Sequence, residues 1–189
     1  MYPLLHPYTE SDAEHIVADT QSWLERAVIG LNLCPFAKSV FVKKQVRYAL
    51  TAASTADELL AELDAEFALL AATPPAQLDT TLLIHPRAMT NFLDYHFFLA
   101  EANALLRNLD LEGVFQIASL HPQYEFAGCE PDDIANFTNR SPYPTLHLLR
   151  ESSIDRAVAA FPDAESIFER NIETMQRLGH DGWKKLWTS

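Results

Sequence analysis

Glycine is scarce: five in 189 residues. No G-x-G-x-x-G or G-x-x-x-x-G-K run exists, so the loops that bring backbone amides against nucleotide phosphates are missing. No G-x-S-x-G elbow presents a serine nucleophile either. Cysteine is rarer still, and Cys34 and Cys129 are too few for the disulfide framework of a secreted protein. Basic side chains number 14 against 26 acidic ones, a formal net charge of -12. Nucleic acids are held by neutralising phosphates, and anionic membrane surfaces by the same attraction. Neither is therefore an expected partner. No apolar run approaches the roughly 18 residues of a membrane span. The opening "MYPLLHPYTESD" lacks the basic region, apolar stretch and cleavage site of an export signal. The sequons at Asn136 and Asn139 then read as chance matches, and a reducing cytoplasm is the expected compartment.

What remains is a globular composition, 48% hydrophobic and 21% charged, suited to one domain over residues 1–189. Charge is uneven. Residues 1–50 balance five acids with five bases, and the excess acid falls in the remainder, much of it on solvated helix faces such as "ADELLAELDAE".

Ser11-Asp12-Ala13-Glu14 has the form of a capping box, and Ile16, Thr20, Trp23, Leu24, Ala27, Val28 and Leu31 follow at helical spacing. That helix should stop near Gly30–Asn32. "QVRYALTA" reads as a strand. Thr55–Glu58 is a second capping box, heading a helix that buries Leu59, Leu63, Phe67 and Leu70. "TTLLIHP" is a strand closed by proline. Asn91 opens a third helix, with Phe92, Tyr95, His96, Leu99, Asn103, Leu106 and Leu109 along one side. "GVFQIASLHP" and "TLHLLRE" give two more strands. Two helices finish the chain, with Pro162 between them and Gly179 as a C-cap. Alternation of this kind predicts an α/β layered domain with a small, partly parallel sheet packed by helices. A ferredoxin-like α+β arrangement is the alternative, since the last connection is long enough to reverse a strand.

Two strands end alike, in "LLIHP" and "ASLHP". Proline cannot continue a ladder, so the sheet should stop there and leave His85 and His121 at its end. If the strands run parallel, both histidines emerge on one edge, where open α/β sheets bind ligands. His96 and His147 read instead as core histidines. Cys34 precedes Pro35 and would cap a short helical turn, where unpaired amides and the helix dipole lower a thiol's pKa. His121 or His85 could then serve it as base. Cys129 could in principle resolve an oxidised Cys34.

Between the last two strands lies "HPQYEFAGCEPDDIANFTNRSPYP", too polar for a core. Asp132 or Asp133 can cap a short helix there. Asp133, Asn136 and Arg140 then share a face and present an acceptor, an amide and a bidentate guanidinium fork suited to an anion. Asn139 and Ser141 extend the set, and Arg150 at the end of the last strand is a second anion-binding candidate or a partner for Glu151 or Asp155. The bland alternative is a loop whose polar groups satisfy one another.

"VIGLNLCPFAK", "HPQYEF", "DDIANFTNRSPYPTLHLLRE" and the acidic, tryptophan-bearing first helix together resemble the bacterial domain-of-unknown-function family numbered 1415. The resemblance spans nearly the whole chain. It implies a single-domain cytoplasmic bacterial protein and no particular activity.

The residues themselves predict a small-molecule enzyme, with no cofactor indicated. Cys34 would be nucleophile or redox thiol, His121 or His85 the acid/base, and Asp133 the orienting carboxylate. Asn136, Asn139, Arg140, Ser141 and Arg150 would bind a small anionic metabolite. Two alternatives stand beside it. One is a metal site on His85 and His121, completed by Cys34, Glu125 or an aspartate. The other is a non-catalytic module that binds a ligand or a protein.

Overall fold

The computed structural model describes residues 8–159 and 166–188, so Pro162 lies outside the described residues. Helix α1 (Glu10–Trp23) is started by Thr9, whose hydroxyl accepts the Asp12 amide at 3.1 Å while Asp12 reaches back to the Thr9 amide. The capping box thus begins two residues before the expected Ser11, because Thr9-x-x-Asp12 satisfies the same donors further upstream. A π-helical turn (Leu24–Ile29) continues α1, and the Gly30 amide donates to the Glu25 carbonyl. Where this turn ends there is no room for a side chain at Gly30, since a Cβ would lie 2.2 Å from the Arg26 carbonyl oxygen. Asn32, at φ 56°, then turns the chain away.

Four strands form one sheet: β1 (Val46–Leu50), β2 (Thr80–Ile84), β3 (Phe115–Leu120) and β4 (Thr145–Arg150). Their order is β1-β2-β4-β3. β1 and β2 pair parallel across helix α3 (Ala56–Ala72), which begins with the predicted Thr55/Glu58 capping box. β4 pairs antiparallel with both β2 and β3. β1, β2 and β3 therefore point the same way and β4 alone opposes them, inserted by the long connection 121–144. The ferredoxin-like alternative fails on connectivity. Helix α4 (Phe92–Asn108), capped by Asn91, separates β2 from β3 where that fold would place a hairpin.

Helices cover both faces. On one, Leu83, Leu146, Leu148 and Phe115 pack against Leu59, Leu63, Phe67 and Leu70 of α3 and against Tyr95, Phe98 and Leu106 of α4. On the other, Leu82, Ile84 and Leu120 meet Ile16, Trp23, Leu24 and Ala27, with half-buried Trp183 and Leu186 alongside. Every residue of β2 is buried, as a central strand covered on both sides requires. Each fully buried leucine or phenylalanine contributes about 1.5–3 kcal/mol. Helix α4 is turned from its expected setting. It buries Tyr95, Phe98, Ala102 and Leu106, leaving His96 exposed.

Three shorter pieces complete the described chain: α2 (Ala37–Val42), a 3-10 turn (Ile134–Thr138) and α5 (Glu151–Ala159). Helix α6 (Ile167–Lys185) is kinked at Gly179, whose φ of 61° breaks the winding before a last short helical stretch. Gly179 thus ends one helical segment as predicted, but the chain resumes helix directly after it. No helix is long and apolar enough to cross a membrane among the described residues.

Candidate functional site

The common direction of β2 and β3 brings their two His-Pro ends to one edge of the sheet. Ile84 and Leu120 both pair with Thr145 of the intervening strand, so His85 and His121 flank the start of β4. The His85 amide donates to the Pro144 carbonyl at 3.0 Å. Both rings are fully buried, and Tyr95 lies between them, with centroids 5.7 Å from His85 and 5.1 Å from His121. The Tyr95 hydroxyl donates to the Thr145 carbonyl at 2.9 Å and accepts the Leu120 amide at 3.1 Å, closing the end of the sheet.

Backbone partners fix both tautomers. His121 faces the Met89 carbonyl through Nε2, which must therefore carry the proton, and its Nδ1 accepts the Gln123 amide at 3.0 Å. Neither nitrogen is left for chemistry. His85 faces the Ala88 carbonyl through Nδ1 at 3.0 Å, so its Nε2 holds a bare lone pair. That Nε2 is buried without a protein hydrogen-bond partner among the described residues. Burial, with the neighbouring His121 as a lesser cause, pulls the His85 pKa down to about 4, and burial also lowers that of His121. Both are neutral imidazoles at physiological pH. His147, in the middle of β4, gives its Nε2–H to the Thr80 hydroxyl at 2.7 Å and is a satisfied interior histidine. His96, expected in the core, is on the surface.

The polar loop does gather beside this edge, but its groups are turned on its own backbone and on that of β3. Asp133 caps the 3-10 turn by accepting the Ala135 amide at 2.9 Å. Asn136 is fully buried, accepts the Phe126 amide and donates to the Glu130 carbonyl. Asn139 donates to the Ser119 carbonyl at 3.3 Å, and Ser141 to the Tyr143 carbonyl at 2.6 Å. Arg140 donates to the carbonyls of Tyr124 and Pro131 and lies 4.2 Å over the Phe137 ring. The loop is moored to α1 by the Trp23 indole, which donates to the Arg140 carbonyl, and by Tyr143, which donates to Asp19. A segment this short of regular ladders must satisfy its buried backbone groups with side chains, and that demand explains its polar composition.

Two expected members stand elsewhere. Because β4 runs opposite to β2, Arg150 sits at the other end of the sheet, paired with Phe115. It is buried, and its guanidinium donates to the carbonyls of Leu70, Thr73 and Leu78, closing the C-terminus of α3. The guanidinium expected as a second anion-binding candidate, or as a partner for Glu151 or Asp155, is thus engaged with the carbonyls that end α3. Cys34 follows the π-helical turn that packs on the opposite face from Tyr95, and no hydrogen bond joins it to either histidine among the described residues. The N-cap of α2 is Phe36, not Cys34. The amides of Phe36 and Ala37 do favour the thiolate, yet burial outweighs them and pushes the Cys34 thiol up. Cys34 and Cys129 are both unpaired thiols. No three or more His, Cys, Asp or Glu side chains come together as metal ligands among the described residues.

The structure instead displays a strip of aromatic rings leading outward from the histidine edge. His121 meets Phe92 at 5.4 Å, Phe92 meets Tyr124 at 5.2 Å, Tyr124 meets Phe126 at 5.0 Å, and Phe126 meets Phe168 of α6 at 5.8 Å. His96 and Phe97 continue it along α4. Its outer members are well exposed, Phe97 by 65% and Phe168 by 56%, and Leu93, one turn before Phe97 on α4, is exposed by 60%. Sequence reasoning passed over these residues. Their signal was present in α4, whose apolar positions Leu93 and Phe97 lie four apart and off the buried stripe.

The profile of a family described as protein of unknown function, DUF1415, matches residues 15–185. No curated protein and no solved structure matches the chain.

Proposed function

This chain belongs to the DUF1415 family, and we propose that it is a binding protein whose aromatic strip takes up a segment of another polypeptide. The observation that carries this reading is the exposure of Phe97 and Phe168 at the two ends of a continuous set of ring contacts, with exposed Leu93 four residues before Phe97 on α4. Leaving such side chains in water forgoes about 1.5–3 kcal/mol each. Contiguous apolar surface of this kind marks interaction sites, whereas scattered apolar residues do not. The strip also rests on a rigid base, since Phe92 packs on the fully buried Tyr95 and His121. The thiol-enzyme reading draws less support, because burial raises the Cys34 thiol and no hydrogen bond joins it to either histidine among the described residues. A photo-crosslinking side chain at position 97 tests the proposal in cells. It should give a discrete adduct that is lost with Leu93→Ser, while the same group at exposed position 158 gives none. An adduct indifferent to Leu93→Ser would count against the strip.

A second reading, uptake of a small anion, is favoured by one observation. A cleft of about 390 Å³ between the 31–35 turn and α6 is lined by Arg170, Arg177, Asn32, Asn171 and Thr174, with Glu173 also present. Phosphate titration of the intact chain, with Arg177→Ala as control, decides it. Saturable binding lost in the variant would support the anion reading.

A further inference from the structure

Resting on the reading of the strip as a docking surface, we infer that its partner is a cationic amphipathic helix. The strip lies in an acidic setting. Asp94 and Glu101 stand beside Leu93 and Phe97 on α4, Glu125 lies between Tyr124 and Phe126, Glu130 follows in the same loop, and Glu169 adjoins Phe168. All five carboxylates are exposed. Arg87 in the turn before α4, Arg140 in the polar loop and Arg170 on α6 are positive groups on the same segments. Arg140 is folded against the Tyr124 and Pro131 carbonyls, with Glu125 and Asp132 acting on its charge.

Charge decides among occupants. A second copy of this chain would bring the same acidic rim and another net -12, and an anionic lipid surface would be repelled likewise. A partner that offers apolar anchors between lysines or arginines gains on both counts. Spacing favours a helix. Neighbouring rings of the strip are 5.0–6.4 Å apart, close to the ~6 Å that separates residues i and i+4 along a helix axis. An amphipathic helix can thus lay apolar anchors of matching spacing over the exposed rings while its cationic side chains meet the acidic rim, the helix-in-groove mode of recognition.

The test uses the full chain and two synthetic amphipathic helices, one of leucine and lysine, the other with glutamate replacing lysine, followed by fluorescence anisotropy. The lysine peptide should bind, and Phe97→Ser or Phe168→Ser should each weaken it by tenfold or more. Both side chains are exposed, so the two variants should keep the wild-type circular dichroism. Asp94→Asn with Glu125→Gln should weaken it several-fold at low salt and little at about 1 M, where charges are screened. The glutamate peptide should bind at least tenfold more weakly. If both peptides bind alike and both are weakened by Phe97→Ser, the cationic partner is refuted while the docking surface stands. Lysine-peptide binding untouched by either serine variant would sink both. Absence of binding by the lysine peptide would overturn the inference.

Discussion

Replacing Tyr95 by phenylalanine removes one oxygen atom and leaves the ring, its volume and its stacking on His85 and His121 in place. The energetic consequence comes from two backbone groups. The Thr145 carbonyl loses the hydroxyl that donates to it at 2.9 Å, and the Leu120 amide loses its acceptor at 3.1 Å. Both lie where the ladder ends, beside fully buried Tyr95 and Thr145, so water does not readily replace the hydroxyl. An unsatisfied buried backbone group costs about 1–3 kcal/mol. Allowing for partial relaxation, Tyr95→Phe should destabilise the domain by about 2–4 kcal/mol. With a urea m-value of about 2 kcal/mol/M, the unfolding midpoint should fall by about 1–2 M with the slope unchanged. Equilibrium unfolding followed by tryptophan fluorescence and by circular dichroism gives the number and checks that the two transitions coincide. A loss below about 0.5 kcal/mol, less than one net hydrogen bond, would refute the account of Tyr95 as the clasp of this edge.

Acid should weaken the fold through its buried histidines. Burial lowers His85 and His147 from 6.5 to about 4, so the unfolded chain binds more protons between those values. Their contribution is complete above pH about 6.5 and is lost as pH falls toward 4, on the order of 3 kcal/mol per histidine. Urea midpoints from pH 7 to 4.5 should therefore decline, and His85→Gln should make the decline shallower, with His147 and His121 carrying the remainder. A midpoint independent of pH over that range would contradict the assignment. Cys34 should alkylate more slowly than a free thiol at pH 7 in a Cys129→Ser background, with its plateau displaced upward, because burial raises it. A plateau below the free-thiol value of about 8.5 would restore thiol chemistry to first place.

The sequence by itself determined the local elements. Asn91 and Thr55 announced two helices through oxygens placed to accept their first amides, and a prolyl residue after His85 and after His121 announced where two strands must stop. Those signals act within a few residues, so chain order carries them. It also carried the family, through a polar loop whose spelling is distinctive. The Thr9 cap and the rotation of α4 show where even local signals compete, since Ser11 was equally eligible and apolar residues occupy more than one side of that helix.

Only the tertiary structure decided what the polar groups are for. Arg150 looked like an anion-binding residue until β4 was seen to run against β2, which carries it to the far end of the sheet and into the carbonyls closing α3. Asn136, Asn139 and Arg140 looked equally available until the loop folded back on Phe126, Ser119 and Tyr124. A side chain's hydrogen-bonding capacity is written in its chemistry, but whether that capacity is spent depends on carbonyls and amides distant in the chain. The same reason hid the aromatic strip. Phe92, Tyr124, Phe126 and Phe168 come from three separate segments, and only the packing of α4, the 121–126 turn and α6 sets their rings in one row.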